Sequence, residues 1–468
     1  MDLIQLNQIL KGRGSNTKNI ENKEFDVSDT LIDGDSISPT VNTITFKNCI
    51  FSGLEFLVYG INKPNLKIKF IDCSLNCRTI FEKCTLYSLY FIDTEIIDRC
   101  FEIKFCNLKR LDLISRYKLN KKHLSGSFHI ENNTILEHVS FENLVHKDGV
   151  FEFTENSIGD KSLKSTPISK SEISFKNAEL NNCDLSDSNF GDVSIFDNAN
   201  FRGERSFLSN NSEFNKAFFN NVDFGKTLLF NGSTFKDIVI FNKCSNLSKT
   251  VGDFSGCTFR KNLFFDYSEF NDLTFKNVSF ERNVSFANCI LNKITLNQIL
   301  FEKVAFFDNI EIIDLKLCSK ETLRTIKQEL QKSDNRIDYN KFKVYELEAH
   351  RAALSKKDWS DKFILWLNSI SSNHGTNWIK SIKFTLITAL LFYIIYFTFE
   401  NSNKEFEINY QSINYFVTGF FKYLIPTYQS PFEKGLSNGL FYIPFLIGKI
   451  AIGYGLFQTI VSFRKFRI

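Results

Sequence analysis

Residues 254–280 read FSGCTFRKNLFFDYSEFNDLTFKNVSF, and a large apolar side chain recurs in this stretch about every five positions. A period of five fits neither regular element, because each step turns about 140° around an α-helix and alternates between the two faces of a strand. Both conflicts disappear if the chain turns a corner within every five residues, since each large side chain can then point at one axis. The pattern therefore predicts a solenoid.

The same period runs through most of the first two thirds of the chain. Its large members are Phe46, Phe51, Phe56, Phe70, Leu75, Phe81, Leu86, Phe91, Ile96, Phe175, Leu180, Leu185, Phe190, Ile195, Phe201, Phe214, Phe219, Phe224, Leu229, Phe254, Phe259, Phe264, Phe270, Phe275, Phe280, Phe286, Leu291, Leu296, Phe301 and Phe306. The residue two positions earlier is small or aliphatic at Cys183, Ser188, Val193, Ala199, Ala217, Val222, Cys257, Val278, Val284, Cys289, Ile294 and Val304. Because positions i−2 and i of an extended segment share a face, each unit should contribute one large and one small inward side chain.

Residues 183–192 show two such units in sequence, CDLSD and SNFGD. They resemble the pentapeptide-repeat family, whose unit reads A/S/C/V, D/N, L/F and then two polar residues. The resemblance covers roughly residues 43–310 and implies a mainly β fold, a right-handed, four-sided β-helix. We assign residues 1–40 to an N-terminal cap and 41–310 to the solenoid. Six-residue steps and an irregular stretch at 111–170 depart from the family pattern, and they imply bulges or an interrupting loop.

Charge limits the partners of this solenoid. The chain has 57 Lys and Arg against 53 Asp and Glu, and residues 41–310 are close to neutral. A polybasic nucleic-acid binder and a strongly acidic DNA mimic are both excluded by this balance. Nucleic acid is therefore an unlikely partner.

The eleven cysteines indicate a reducing compartment rather than a disulfide framework. Those at the small inward position of a unit are Cys49, Cys73, Cys84, Cys183, Cys257 and Cys289, and no CxxC pair occurs. We interpret them as small hydrophobic residues of a cytoplasmic domain. The first residues, MDLIQ, show no signal-peptide pattern.

Catalytic and metal-binding patterns are missing from the sequence. His123, His129, His138 and His146 lie close together, but none of them pairs at helical spacing or with a cysteine pattern. Glu346, Glu348, His350 and Arg351 form either an acid–base or metal site, or a solvated helix face, and we favour the solvated face. No nucleophile elbow, phosphate-binding loop or HExxH motif occurs. We predict that the protein is not an enzyme and has no catalytic, cofactor or metal site.

The five-residue period stops after Ile313, and helical patterns follow. Apolar residues at helical spacing predict amphipathic helices over 319–333, 336–354 and 359–371, which we assign to a linker at 311–376. The remaining residues, 377–468, have the composition of a membrane module. We predict two membrane spans, Ile382–Phe399 and Leu436–Phe463, with a short interfacial or re-entrant helix at Ile413–Ile425 between them.

Basic residues predict the orientation of this module. Lys380 and Lys383 precede the first span, and the connecting loop is balanced in charge. The second span is followed by Arg464, Lys465 and Arg467. The positive-inside rule then places both termini in the cytoplasm. The order of solenoid, linker and two-span module resembles bacterial pentapeptide-repeat membrane proteins, some of which carry a module of potassium-channel type. That resemblance implies the inner membrane of a bacterium.

Two features of the second span bear on a channel. Gly453-Tyr454-Gly455 lies inside the apolar stretch, whereas a selectivity filter would precede it, so we expect these glycines to serve helix packing. Lys449 lies near the middle of the span, and Asn438, Tyr442 and Gly453 share its helix face. These four residues are our predicted pore-lining set. Snorkelling of Lys449 to an interface is the alternative.

The sequence thus favours a non-enzymatic membrane protein whose cytoplasmic rod senses a partner and whose homo-oligomeric two-helix module forms a pore or perturbs the bilayer. Analogy with two-span effectors fused to sensing domains points to antiviral defence. The alternative is a membrane-tethered scaffold whose rod binds a cytoplasmic protein and whose helix hairpin is only an anchor.

Overall fold

The computed structural model describes residues 3–12, 15–27, 30–97, 99–116, 123–159, 170–400, 410–427 and 442–466. The chain divides into two compact units, Met1–Thr322 and Leu323–Ile468. The first unit is a parallel β solenoid of about 12 turns, and the second is helical with two apolar helices. The predicted fold class is confirmed.

The solenoid follows one helix, α1 (Leu3–Lys11), and its described strands pair in parallel with those of neighbouring turns. The strands are β1 (Thr17–Glu21), β2 (Glu24–Asp26), β3 (Thr30–Ile32), β4 (Thr43–Lys47), β5 (Ile50–Tyr59), β6 (Asn62–Ile71), β7 (Ser74–Glu82), β8 (Thr85–Ile92), β9 (Glu95–Ile96), β10 (Phe101–Lys104), β11 (Asn107–Ile114), β12 (His123–Ser125), β13 (Phe128–Glu131), β14 (Thr134–Ser140), β15 (Val145–Asp148), β16 (Phe151–Thr154), β17 (Ser157–Ile158), β18 (Glu172–Ser174), β19 (Glu179–Asp184), β20 (Val193–Ile195), β21 (Asn200–Leu208), β22 (Glu213–Phe214), β23 (Lys216–Asn220), β24 (Thr227–Leu229), β25 (Thr234–Phe235), β26 (Val239–Asn242), β27 (Ser245–Asp253), β28 (Thr258–Phe259), β29 (Leu263–Phe264), β30 (Glu269–Phe280), β31 (Val284–Ser285), β32 (Ile290–Phe301), β33 (Ala305–Phe306) and β34 (Glu311–Ile312).

One turn of the regular part contains 21 residues, since Glu269 of β30 pairs with Ile290 of β32. Each such turn buries four large side chains, and the spacing between them is five residues at three corners and six at the fourth. In two consecutive turns these side chains are Phe254, Phe259, Phe265 and Phe270, then Phe275, Phe280, Phe286 and Leu291. Four inward positions per turn correspond to the four sides of the predicted β-helix.

The six-residue step corrects the predicted register at one corner of the turn. Ile195, Leu229, Phe264 and Phe306 were predicted to point inward, but each is only half-buried. The residue that follows each of them is fully buried instead: Phe196, Phe230, Phe265 and Phe307. The predicted small partners Val193 and Val304 are wrong for the same reason, because Ser194 and Ala305 occupy those buried positions.

A ladder of phenylalanine rings runs along this side of the core. Its members are Phe141, Phe175, Phe196, Phe219, Phe241, Phe265, Phe286 and Phe307, and adjacent ring centroids lie 4.5–5.3 Å apart. The rings are stacked with little tilt, so each covers the faces of its neighbours. Burial of one such side chain stabilises the fold by about 1.5–3 kcal/mol, and ring contacts add about 0.5–1.5 kcal/mol.

Asparagine side chains at one corner of the solenoid form a ladder of hydrogen bonds between successive turns. Asn177, Asn198 and Asn221 adopt positive φ values of 56°, 58° and 57°, a region that asparagine tolerates better than most residues. Asn198 donates from Nδ2 to Asn177 Oδ1 at 3.2 Å, and Asn221 donates to Asn198 at 3.0 Å. The polar positions of the repeat therefore stabilise the turns as well as face solvent.

We expect Phe265→Ala to lower the free energy of unfolding much more than Phe264→Ala does. This difference tests the corrected register. Phe265 lies in the ring ladder, so its truncation should cost about 3–5 kcal/mol of the free energy of unfolding. Phe264 is half-buried, so its truncation should lower the free energy of unfolding much less. Thermal unfolding of the full-length chain followed by circular dichroism measures both. A larger loss at Phe264 would restore the predicted register.

The solenoid extends beyond its most regular part. It begins inside the segment that was assigned to a cap, because β1 pairs with β4 from Thr17↔Thr43 to Glu21↔Lys47. It also continues through the described part of the irregular stretch, where turns are longer: Phe101 pairs with Phe128, 27 residues on, and Phe128 with Phe151, 23 residues on. The extra residues thus lengthen the turns there without ending the parallel pairing.

The helical unit contains α2 (Lys320–Lys332), whose first residues belong to the first unit, α3 (Arg336–Ala353), α4 (Trp359–Ser372), α5 (Trp378–Glu400), α6 (Tyr410–Leu424) and α7 (Tyr442–Phe463). The three linker helices and the short helix between the apolar segments are confirmed within a few residues. Asn335 caps the start of α3 through Asp338 N, and Asn373, in the left-handed region, ends α4.

Candidate functional site

The candidate site is the hairpin, which we define as α5, α6 and α7. Trp378–Phe399 and Ile443–Phe463 are long and apolar enough to cross a membrane. At about 1.5 Å per residue each extends roughly 30 Å, the thickness of a bilayer core. The predicted first span, Ile382–Phe399, lies within α5. The predicted second span coincides with α7 from Tyr442, and its first six residues lie outside the described residues.

Small residues let α5 and α7 approach closely. Ser381 Oγ lies 3.3 Å from Ser462 Oγ, and a Cβ placed on Gly455 would collide with Thr385. Close approach through small side chains is the usual way for helices to associate in lipid. The predicted packing role of glycine is therefore seen at Gly455, whereas Gly453 is exposed, and a Cβ added to it would contact none of the residues that the structure describes.

The helix α6 packs against the far end of α5 through aromatic residues. Ala389, Tyr393, Tyr396, Phe397, Tyr423 and Ile452 form a buried cluster there. Tyr393 donates from its hydroxyl to the carbonyl of Phe416 at 2.9 Å, and its ring fills the space that a side chain at Gly419 would need. The sequence predicted α6 but gave no indication of this cluster.

Lys449 contacts the C-terminal end of α6. Its Nζ donates to the carbonyls of Tyr423 at 2.8 Å and Ile425 at 2.6 Å. The same ammonium lies 4.9 Å from the Tyr423 ring centroid and 5.4 Å from that of Phe445. The last carbonyls of a helix have no partner within it and carry partial negative charge. Lys449 therefore serves as a cap for α6 within its own chain.

The structure describes the side-chain environment of only two of the four predicted pore-lining residues, Lys449 and Gly453. Lys449 is turned to α6, and Gly453 is exposed on α7. Asn438 and the side chain of Tyr442 lie outside the described residues. A lumen formed by these residues would need several copies of the chain, and it stays a prediction.

A polar network that the sequence analysis missed joins α4 to α7. Asn368 Oδ1 accepts from Tyr454 Oη at 2.6 Å and from Gln458 Nε2 at 3.1 Å. Ser372 Oγ donates to Gln458 Oε1 at 2.7 Å, and Ser372 is fully buried. A glutamine within an otherwise apolar helix was the signal that could have indicated a polar partner.

Three residues of the polar cluster on α3, Glu346, Glu348 and Arg351, form ion pairs. Glu346 is buried and binds Arg324 at 2.8 Å and Lys327 at 2.5 Å. Burial alone would raise its pKa, but the hydrogen bonds and charges of these two partners outweigh that effect and lower it. The preferred expectation of a solvated face is therefore wrong for Glu346.

Glu348 connects α3 to the turn after α4. It binds His374 Nε2 at 2.9 Å and Arg351 at 2.6 Å. Burial opposes its ionisation, but hydrogen bonds from Ser369, His374 and Arg351 lower the pKa of Glu348 to about 2. A carboxylate held this firmly ionised is a structural anion and a poor proton donor or acceptor near neutral pH.

The histidines of the irregular stretch are on different strands: His123, His129 and His138 lie in β12, β13 and β14 of one turn, and His146 lies in β15 of the next. His129 Nδ1 contacts Glu152 and lies 3.4 Å from Glu131, and these three donor groups are close enough to hold a metal ion. Lys104 also pairs with Glu131, at 3.5 Å. Ion pairing accounts for the arrangement, and the expectation of no metal site stays a prediction.

The cysteines are unpaired, and all except Cys100 are buried. Cys244, Cys257 and Cys289 donate from Sγ to backbone carbonyls of the preceding turn at 2.8–3.0 Å. Burial raises the pKa of each of these thiols to about 12. They are therefore unreactive core residues, in agreement with the interpretation of cysteine as a small hydrophobic residue.

Comparison with known proteins supports part of this description. A family model described as pentapeptide repeats (nine copies) matches residues 246–293, which extend from β27 into β32. Searches of curated proteins and of solved structures give no match. The pentapeptide-repeat prediction is confirmed for this segment.

Proposed function

We propose that this protein is a non-enzymatic, membrane-tethered scaffold whose solenoid binds a cytoplasmic protein. The hairpin anchors it in the inner membrane of a bacterium, with both termini in the cytoplasm. The observation that carries this choice over a pore is the contact of Lys449 with the carbonyls of Tyr423 and Ile425. The charge of Lys449 in the apolar helix α7 is then explained within a single chain, because it caps the end of α6.

The surface of the solenoid supports a protein as its partner. Its net charge is close to zero, and its surface carries ion pairs such as Arg202–Glu179 at 2.8 Å and Lys293–Asp272 at 2.9 Å. Such a surface gives no electrostatic attraction for nucleic acid. Stacked repeats instead offer an extended and rigid surface of the kind that binds proteins.

A second candidate is a pore formed by several copies of the hairpin, with antiviral defence as the analogous role. Gly453 favours it, because this residue is exposed on α7 and no described residue lies within 4 Å of an added Cβ. A second helix could approach closely at that point. Planar-bilayer recording of the purified chain separates the candidates. A scaffold should produce no ion current, and a pore should produce steps of conductance.

The anchor predicts a defined topology. A cysteine introduced at Ser402, between α5 and α6, should react with a membrane-impermeant thiol reagent in intact cells, whereas one at Ile468 should react only after lysis. The native thiols are suitable as background, since all except Cys100 are buried. Labelling at Ile468 with protection at Ser402 would invert the orientation, and labelling of both sites only after lysis would contradict the membrane anchor.

A further inference from the structure

We propose that α4 lies in the cytoplasmic leaflet of the membrane as a third embedded element, with its aromatic face among the acyl chains. Its sequence alone predicts an amphipathic helix of the linker at 311–376. This inference rests on the proposed function, because it requires that α5 and α7 span the bilayer. It adds a lipid-binding surface to the two spans.

The exposed face of α4 is aromatic. Trp359, Phe363 and Trp366 are 71%, 51% and 44% exposed, and their spacing of four and three residues puts them on one side of the helix. Ile370 follows at the next position of the same stripe. Exposed aromatic stripes of this kind are unfavourable in water and mark a binding surface.

The opposite side of α4 carries polar residues that contact α7, and α4 also packs against α3 and α5. Asn368 and Ser372 lie about 180° from the aromatic stripe by helix geometry, and both bind Gln458. A helix of a water-soluble protein has the reverse arrangement, with its apolar face on the core and its polar face in solvent. An apolar exterior around a polar contact is the arrangement expected for a helix whose surroundings are lipid.

The position of the contact on α7 sets the depth of α4. Tyr454 and Gln458 precede the end of α7 at Phe463 by nine and five residues, so they lie about 14 Å and 8 Å along the helix from that end. Lipid around this part of α7 would also surround the helix that packs on it. The stripe of α4 is thus continuous with the apolar surface of the spans.

Lysines next to α4 fit an interfacial position. Lys356, Lys357 and Lys362 are exposed around the first turn of α4, although Asp358 and Asp361 offset much of their charge. Trp359, in the same turn, has the type of side chain that is enriched at headgroup depth. We therefore infer that α4 enters the leaflet at an angle, with its start at the headgroups and Trp366 deeper.

Tryptophan fluorescence of the full-length protein in phosphatidylcholine vesicles tests this position. Trp359, Trp366 and Trp378 are the three tryptophans of the chain. A variant with Trp359→Phe and Trp378→Phe retains Trp366 as the reporter. We expect blue-shifted emission, loss of fluorescence with lipids spin-labelled on the acyl chain, and weak quenching by aqueous iodide. Strong iodide quenching without lipid quenching would overturn the proposal.

A matched variant separates failure of α4 from failure of the anchor. Trp359→Phe with Trp366→Phe retains Trp378, which begins α5 and stacks on Phe463 at 5.3 Å. Lipid quenching of Trp378 but not of Trp366 would refute only the placement of α4. Lack of lipid quenching at both would refute the membrane anchor. Protection of Trp366 from both quenchers would indicate a covering protein or second copy, and would also overturn the proposal.

Discussion

Phe275→Asp is expected to prevent the turn that contains Phe275, and the turns next to it, from folding at physiological temperature. Phe275 is fully buried, and its ring stacks on Phe254 at 5.1 Å while Phe265 and Phe286 pack against it edge-on. Loss of a buried phenylalanine costs about 3–5 kcal/mol by itself, and an unpaired buried carboxylate adds several more. The sum approaches the whole stability of a typical domain, which is about 5–15 kcal/mol.

Tyr267→Asp provides the matched control on the preceding turn. Tyr267 is 60% exposed and has a positive φ of 57°, a conformation that aspartate tolerates better than tyrosine. We expect no loss of stability, and a small gain is compatible with the geometry. Circular dichroism of full-length protein during heating measures both variants. Equal melting of Phe275→Asp and the parent would remove Phe275 from the core.

The solenoid could be predicted from the sequence because its period is a direct consequence of its geometry. At the corner near Phe264 the inward residue could not be predicted. Phe264 and Phe265 are both large and apolar, and their spacing in the sequence does not show which of them points into the core. Leu229–Phe230 and Phe306–Phe307 present the same choice. The neighbouring turns decide it: Phe265 stacks between Phe241 and Phe286 at 4.6 and 5.3 Å.

The hairpin shows a different limit. Length and composition predicted its helices, because a span needs only a sufficient run of apolar residues. The partners of Lys449 are backbone carbonyls 24 and 26 residues away, and a carbonyl has no signature in the sequence. The charge of Lys449 is visible in the sequence, but its hydrogen-bond partners depend on where α6 ends.

Lys449→Met should release the end of α6 while the protein still inserts in the membrane. Methionine keeps much of the length of lysine, but it cannot donate to the carbonyls of Tyr423 and Ile425. An unpaired buried acceptor costs about 1–3 kcal/mol, and the cost is larger where water is absent. Hydrogen–deuterium exchange of the detergent-solubilised chain should therefore become faster in the last turn of α6, with exchange in α5 little changed.

Lys422→Met removes a different lysine, one that is exposed on α6, and should leave the exchange of α6 as in the parent. These two variants and Lys449→Glu, recorded in planar bilayers, decide between the cap and the pore. If the cap is the role of Lys449, the parent and both variants are silent, and only Lys449→Met exchanges faster. If Lys449 lines a lumen, the parent conducts, Lys449→Met changes that conductance while α6 exchanges normally, and Lys449→Glu shifts it toward cations. That second pattern would contradict the scaffold, because a charge needed only to cap α6 has no effect on an ion current.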